Sequence, residues 1–259
     1  MYTSMDYKID RNFDSIAGKF QRNIYQTTKG RLRQEVLLRD LAALADLQRS
    51  TAILDVGAGQ GQLALALAAQ GHRVTLADIS AEMLMLARQS AQDAGLTTQL
   101  QFKHCSLQQL VDTERKAPVV LCHAMLEWLA DPQQAIEQLY QLTEPGGVLS
   151  LMFFNQDARR FGNILYGNFD YVSQGLTGSK TVQLSPQNPL RPDDVLLWCQ
   201  QAGFTLEVKT GVRCFHDYVR EPAMQQSHYQ QLLALELQYN QTEPYASLGK
   251  YMHFVLRVD

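Results

Sequence analysis

Between residues 50 and 155 short apolar runs alternate with stretches of mixed character, and most of the runs close on glycine or a polar residue. Ala52-Ile53-Leu54-Asp55-Val56 leads into glycines and predicts a first strand, and Gln62 to Gln70, rich in Ala and Leu, predicts the helix that follows. Val74 to Ala77, closed by Asp78, predicts strand two. Ser80 is placed to cap a helix over 81–94, with Glu82 early where it suits the helix dipole. Residues 101–104 and 119–122 predict strands three and four, and Asp131-Pro132 opens a helix over 131–142. After Pro145-Gly146-Gly147 the run 148–154 reads as a wholly apolar strand five, which implies cover on both faces. This alternation predicts βαβ units and a parallel sheet.

Residues 155–192 mix Asn, Gly, Ser, Pro and aromatics, and predict an inserted loop with short helical pieces. A helix over 193–202, a strand over 204–209, a helix over 223–240 and a strand over 251–257 then resume the pattern. Residues 10–49 read as helical and precede the sheet. The expected architecture is therefore α/β: a doubly wound, mostly parallel sheet of seven strands in a single domain. Its parts are a helical arm (10–49), a core (50–155), a cap or insertion (156–192) and a completion of the sheet (193–259).

Composition narrows the class. With 46% hydrophobic and 19% charged residues the 259-residue chain is a folding one. A net charge of −3 excludes a uniformly basic nucleic-acid coat but not a local basic patch. Residues 1–50 balance at +3, 51–150 at −5 and 151–259 at −1, and Arg159, Arg160, Lys180 and Arg191 fall close together against Asp170. Two mildly basic segments thus flank an acidic middle, and would form an anion-attracting face if they converge. No stretch reaches the ~18 apolar residues of a membrane span. The N-terminal residues carry no apolar run that could serve as a signal peptide. Cys105, Cys122, Cys199 and Cys214 show no CxxC spacing and read as reduced thiols, which suits a cytoplasmic protein. No ligand cluster suggests a metal.

The chemistry centres on Asp55-Val56-Gly57-Ala58-Gly59-Gln60-Gly61, between a predicted strand and a predicted helix. Glycines there let the chain turn sharply and bring its backbone against a ligand. A dinucleotide-binding G-x-G-x-x-G would need glycine at position 62, which is Gln, so a nicotinamide-dependent dehydrogenase is disfavoured. The actual D-x-G-x-G-x-G spacing, with Asp78 closing the next strand 19 residues after Gly59, resembles the class I S-adenosylmethionine-dependent methyltransferases, whose sheet is Rossmann-like. Leu142-Thr143-Glu144-Pro145-Gly146-Gly147-Val148-Leu149 matches that family's turn into strand five. His123-Ala124-Met125-Leu126-Glu127-Trp128 follows strand four, where the family places residues under the methionine and methyl group. The resemblance implies that Asp78 accepts hydrogen bonds from the ribose hydroxyls and that the first glycines pass beside the methionine end. An acid often ends strand three in the family. Here His104-Cys105-Ser106-Leu107-Gln108 occupies that place, so Leu107 and Gln108 are expected to read the adenine.

The flanks carry a narrower likeness. Arg11-Asn12-Phe13-Asp14, the stretch Arg22 to Arg33, Gly167-Asn168-Phe169-Asp170-Tyr171-Val172, Leu184-Ser185-Pro186 and the stretch Lys209 to Arg220 together resemble the bacterial tRNA 5-carboxymethoxyuridine methyltransferases. The likeness runs from about residue 10 to 257. It implies esterification of a carboxylate on the wobble uridine, with tRNA, through its anticodon stem-loop, as partner and no obligate protein partner. A carboxylate, with an ordinary pKa near ~4, is already a nucleophile at neutral pH and needs no general base. No catalytic residue beyond positioning groups is expected. The resemblance assigns Arg33 to the cofactor's methionine carboxylate, with Asp55, Gly57, Ala58, Gly59, Asp78, Leu107, Gln108 and His123 completing its pocket. Tyr25, Arg213, His216 and Tyr218 are candidates for the substrate carboxylate and base, since a guanidinium forks onto a carboxylate and aromatic rings stack splayed bases. Each has a plain packing role as its alternative, and Trp128 reads more as packing than as a stacking ring. A methyltransferase for a small carboxylic acid or phenol, and a cofactor-binding module without activity, remain the competing readings.

Overall fold

In the computed structural model, residues 27–176 and 188–259 are described. The apolar runs form strands and the capped segments form helices: β1 (Ala52–Val56), β2 (Arg73–Asp78), β3 (Leu100–His104), β4 (Ala117–His123), β5 (Thr143–Phe154), β6 (Phe204–Val212) and β7 (Tyr251–Val258). They make one seven-stranded sheet in the order β3-β2-β1-β4-β5-β7-β6. The first five pair in parallel, whereas β7 runs antiparallel to both neighbours. Helices α1 (Thr28–Ala42), α2 (Gln62–Ala69) and α3 (Ala81–Asp93) bury Leu32, Val36, Leu67 and Leu84 in one apolar layer with Ile53, Leu121 and Val255 of the sheet. Helices α4 (Leu107–Thr113), α5 (Pro132–Leu142) and α8 (Pro192–Ala202) contribute Leu110, Ile136 and Val195 to the opposite layer, with Leu54, Val120 and Phe153. Two covered faces explain why the strands are apolar on both sides.

Cap signals in the sequence set several boundaries. The Ser80 hydroxyl accepts from Met83 N at 3.1 Å to open α3, and the Asp131 carboxylate accepts from Gln134 N at 2.9 Å, with Pro132 in the first turn of α5. Three boundaries differ from expectation. Strand β5 begins at Thr143, and its pairing jumps from Ala117–Thr143 to Val119–Val148, so Glu144 to Gly147 bulge within the strand instead of preceding it. Helix α4 follows β3 directly, opened by reciprocal bonds between Ser106 and Gln109. The helix expected over 223–240 is two helices, α9 (Met224–Ser227) and α10 (Tyr229–Tyr239), broken at His228 (φ −119°, ψ 28°). There the Ser227 hydroxyl bonds Ala223 O and the His228 ring, a local alternative to helix continuation.

The inserted region holds α6 (Gln156–Leu165) and α7 (Phe169–Ser173). Within the arm the described helix starts at Thr28; Arg11, Tyr25, Lys180 and Leu184-Ser185-Pro186 lie outside the described residues. No helix among the described residues is long and apolar enough to cross a membrane.

Candidate active site

The carboxyl ends of β1, β2 and β4 open into one cleft, roofed in part by α1. In a parallel sheet this is the end where a ligand meets loops rather than strand edges. The loop after β1 is built on alternate glycines because Gly57, Gly59 and Gly61 all take left-handed φ (68°, 56° and 68°), which L side chains adopt at a cost. Gly57 N and Ala58 N both donate to Ala77 O, at 2.9 and 3.1 Å, folding the loop onto the end of β2. A Cβ at Gly57 would stand 2.6 Å from Met125 Sδ, so the loop passes close under the segment that follows β4. Asp78 locks the arrangement: its Oδ2 accepts from Gly59 N at 2.7 Å and its Oδ1 from Ser80 N at 2.8 Å.

Arg33, Asp55, Gly57, Ala58, Gly59, Asp78, Leu107, Gln108 and His123 all line this cleft, together with Met125 and Trp128. Burial, with the nearby Asp78 charge, pushes the Asp55 carboxyl up to about 7. Burial also holds the His123 imidazole well below its ordinary range, helped by the Arg33 charge. His123 is therefore neutral near pH 7. A cleft with paired carboxyl groups at β2 and β1, a guanidinium from α1 and a backbone stripped of side chains suits an amino-acid nucleoside.

The described substrate candidates gather by the first turn of α1, where Thr28 meets His216 and Lys29 meets Asp217. Arg213, itself in the left-handed region (φ 66°), grips Asp217 through Nε–Oδ2 at 2.6 Å and an Nη2–Oδ1 bond of 2.8 Å. Burial alone would raise Asp217, but Arg213, His216 and Lys29 outweigh it and hold that carboxyl far below the usual range. His216 is fully buried, with Nε2 at 2.9 Å from Thr28 Oγ1, and the Tyr218 hydroxyl lies 3.0 Å from Leu248 O. None of the three lines the cleft, but Thr28 and Lys29 stand about one turn before Arg33 on α1, so the cluster borders it. Arg159 bonds the Tyr171 hydroxyl, Arg160 bonds Asp157 at 2.8 Å, and Arg191 leads into α8.

Several buried polar residues escaped the sequence reading. Glu236 accepts from the backbone N–H groups of Cys214, Phe215 and His216 at 2.8, 2.8 and 3.0 Å, and so shapes the Arg213 loop. Glu127 is buried behind the cleft, and burial pushes it up to about 7 against the pull of backbone N–H groups and Arg33. Ser150 and His253 lie inside strands, where their signal was a polar residue on an otherwise apolar run.

Residues 54–151 match the family described as a methyltransferase domain. The fold is similar to that of the magnesium protoporphyrin IX methyltransferase of Synechocystis PCC 6803 with bound SAH, at a TM-score of 0.66, 18% identity, and 95% and 96% of the two chains. Fold and cleft together define a class I S-adenosylmethionine-dependent methyltransferase. The chain is 46% identical over 251 residues to the tRNA 5-carboxymethoxyuridine methyltransferase of Escherichia coli K12, covering 96% of each. It is 31% identical over 169 residues to a ubiquinone biosynthesis O-methyltransferase of Xylella fastidiosa, covering 62% of this chain and 63% of that one. The chain belongs to the tRNA 5-carboxymethoxyuridine methyltransferase family.

Proposed function

We propose that this protein transfers the methyl group of S-adenosylmethionine to the carboxylate of 5-carboxymethoxyuridine at the wobble position of tRNA, giving the methyl ester. The observation that carries the reading is the reach of the likeness. At 46% identity it extends over 96% of both chains, including the arm and the segments after the sheet core, whereas the ubiquinone-pathway relative matches only 62% of this chain.

The cleft fits the cofactor. In this reading Asp78 would take the ribose, Leu107 and Gln108 the adenine, Arg33 the methionine carboxylate, and Asp55, His123 and the Gly57-Ala58-Gly59 backbone the rest; that all of them line the one cleft supports it. When bound, the cofactor supplies an electrophilic methyl on a sulfonium. Passing that methyl to a substrate carboxylate would require only that the two be held in line, and no residue would have to take or give a proton. The protein's task is orientation and the exclusion of water. Arg213 gives two of its five N–H donors to Asp217, which leaves one side of the fork for the substrate carboxylate. His216, Tyr218 and Tyr25 would frame the same group. The reading treats the chain as one methyltransferase domain acting on the anticodon stem-loop, in the cytoplasm with its tRNA, and it calls for no protein partner.

The test is incubation with deuterium-methyl S-adenosylmethionine and bacterial tRNA lacking the ester, followed by mild, non-alkaline digestion and mass spectrometry. Labelled 5-carboxymethoxyuridine methyl ester is expected from the wild type. It should be absent from Asp78→Ala, whose cofactor affinity should fall by ~100-fold or more with loss of charge-assisted bonds. No label on any nucleoside, with cofactor binding intact, would redirect the search to small carboxylic acids.

A further inference from the structure

Behind the cleft a row of buried polar side chains crosses the sheet. Asp40 Oδ2 lies 2.8 Å from His253 Nδ1, His253 Nε2 lies 2.7 Å from Ser150 Oγ, and Ser150 Oγ lies 2.8 Å from His123 Nε2. Ser150 and His253 are fully buried and Asp40 is 3% exposed. The row joins α1, β7, β5 and β4, and all three strand residues point to the α1 face, with Val119, Val148 and Val255 at the same alternation.

Its direction follows from what each group can do. Burial alone would raise Asp40, but the His253 bond and the Arg39 charge hold it low, so it is a carboxylate and only accepts. Its other oxygen takes Arg39 Nε at 2.6 Å and Gln241 Nε2 at 3.1 Å. Arg39 thereby balances its charge, and His253 gives its Nδ1–H to the carboxylate. His253 Nε2 is then a lone pair and takes the Ser150 proton. Ser150 Oγ in turn accepts from His123 Nε2–H. The remaining nitrogen of His123, Nδ1, has no hydrogen-bond partner among the described residues, and the ring lines the cleft.

We propose that Asp40, His253 and Ser150 are positioning residues that fix His123 as its Nε2–H tautomer, so that Nδ1 offers the cleft a bare acceptor for the cofactor's methionine ammonium. β1 separates β2 from β4, so His123 stands two strand spacings, about 10 Å, from Asp78. With the ribose on Asp78, His123 falls at the amino-acid end beside Arg33, and the ammonium is the N–H donor of that end. The neutral ring also adds no cation to draw the substrate carboxylate away from the methyl carbon. The inference rests on the cofactor part of the proposed function and not on its tRNA part.

The tautomer can be read from long-range 1H–15N spectra of histidine-labelled wild type at neutral pH, with His123 assigned by the signals lost in His123→Gln. The Nε2–H form is expected; an Nδ1–H form or an imidazolium would overturn the proposal. Isothermal titration supplies a second readout, using S-adenosylhomocysteine and its analogue without the amino group. Asp40→Asn can turn its amide N–H toward His253 and reverse the row. Ser150→Ala cuts it without touching the Arg39 pair. Both are expected to weaken S-adenosylhomocysteine at least tenfold and leave the deaminated analogue unchanged. Equal loss for the two ligands would mean a merely structural role and sink the idea. If the wild type binds neither ligand, the cofactor reading fails and takes the ammonium assignment with it, while the spectrum still decides the tautomer.

Discussion

Asp55 shows how a single carboxyl couples the cleft to stability. Its ordinary value is 3.8 and burial beside Asp78 lifts it to about 7 in the folded protein. Between those values the unfolded chain has released its proton while the folded chain keeps it, so raising the pH through this window favours unfolding, and the effect levels off above about 7. Over the full window the loss is bounded by roughly 4 kcal/mol. Glu127, also raised to about 7, adds a slope of the same sign. Denaturant melts of ligand-free protein at pH 5, 6, 7 and 8 should therefore show stability falling, and Asp55→Asn should remove about half of the fall. An unchanged slope in that variant would place the ionisation elsewhere. At this scale the glycine loop and Asp78 were legible as a motif, 19 residues apart, but the bond that joins them, Gly59 N to Asp78 Oδ2, was not. The surroundings of Arg213 and His216 were not legible. Residue type shows that a guanidinium wants an acceptor, but not that Asp217 fills part of it or that Glu236 pins the loop from twenty residues away.

Elements were legible where caps announce them. Ser80 opens α3 as its spacing predicts, and its side chain and backbone do separate jobs. The hydroxyl caps Met83 N, while the backbone N–H holds Asp78. Ser80→Ala removes the hydroxyl and keeps that N–H, so it should cost about 1–2 kcal/mol of stability and change cofactor affinity by less than about threefold. Denaturant melts and titration of one preparation check both numbers, and a large affinity loss would show that the cap, not the backbone, orients Asp78. The errors have equally local causes. Pro145-Gly146-Gly147 carries turn chemistry, yet pairing resumes on its far side and absorbs it as a bulge. The run 148–154 read as apolar throughout although Ser150 sits in it, because six apolar neighbours hide one hydroxyl.

For the whole molecule, the uneven charge has a measurable consequence. If tRNA docks on the basic flanks, its affinity should fall steeply with salt. Three contacts to single-stranded phosphates predict about tenfold or more between about 50 and 200 mM salt, with cofactor affinity nearly flat over the same range. Filter binding across that range checks it, and a flat tRNA response would remove the phosphate contacts from the proposal. Strand alternation made the parallel half of the sheet readable, whereas the reversal of β7 between β5 and β6 lies in long-range pairing that periodicity does not encode. That reversal bears on how the protein is made. A ribosome releases the glycine loop about two hundred residues before His253, so the growing chain can assemble β1 to β5 early and must wait, with the flank of β5 bare, for β7 to arrive. Only then does the last imidazole join the row behind His123. The pocket's lining thus lies at or before Gln138, whereas the row proposed to set its polarity draws on a strand more than a hundred residues further along the chain.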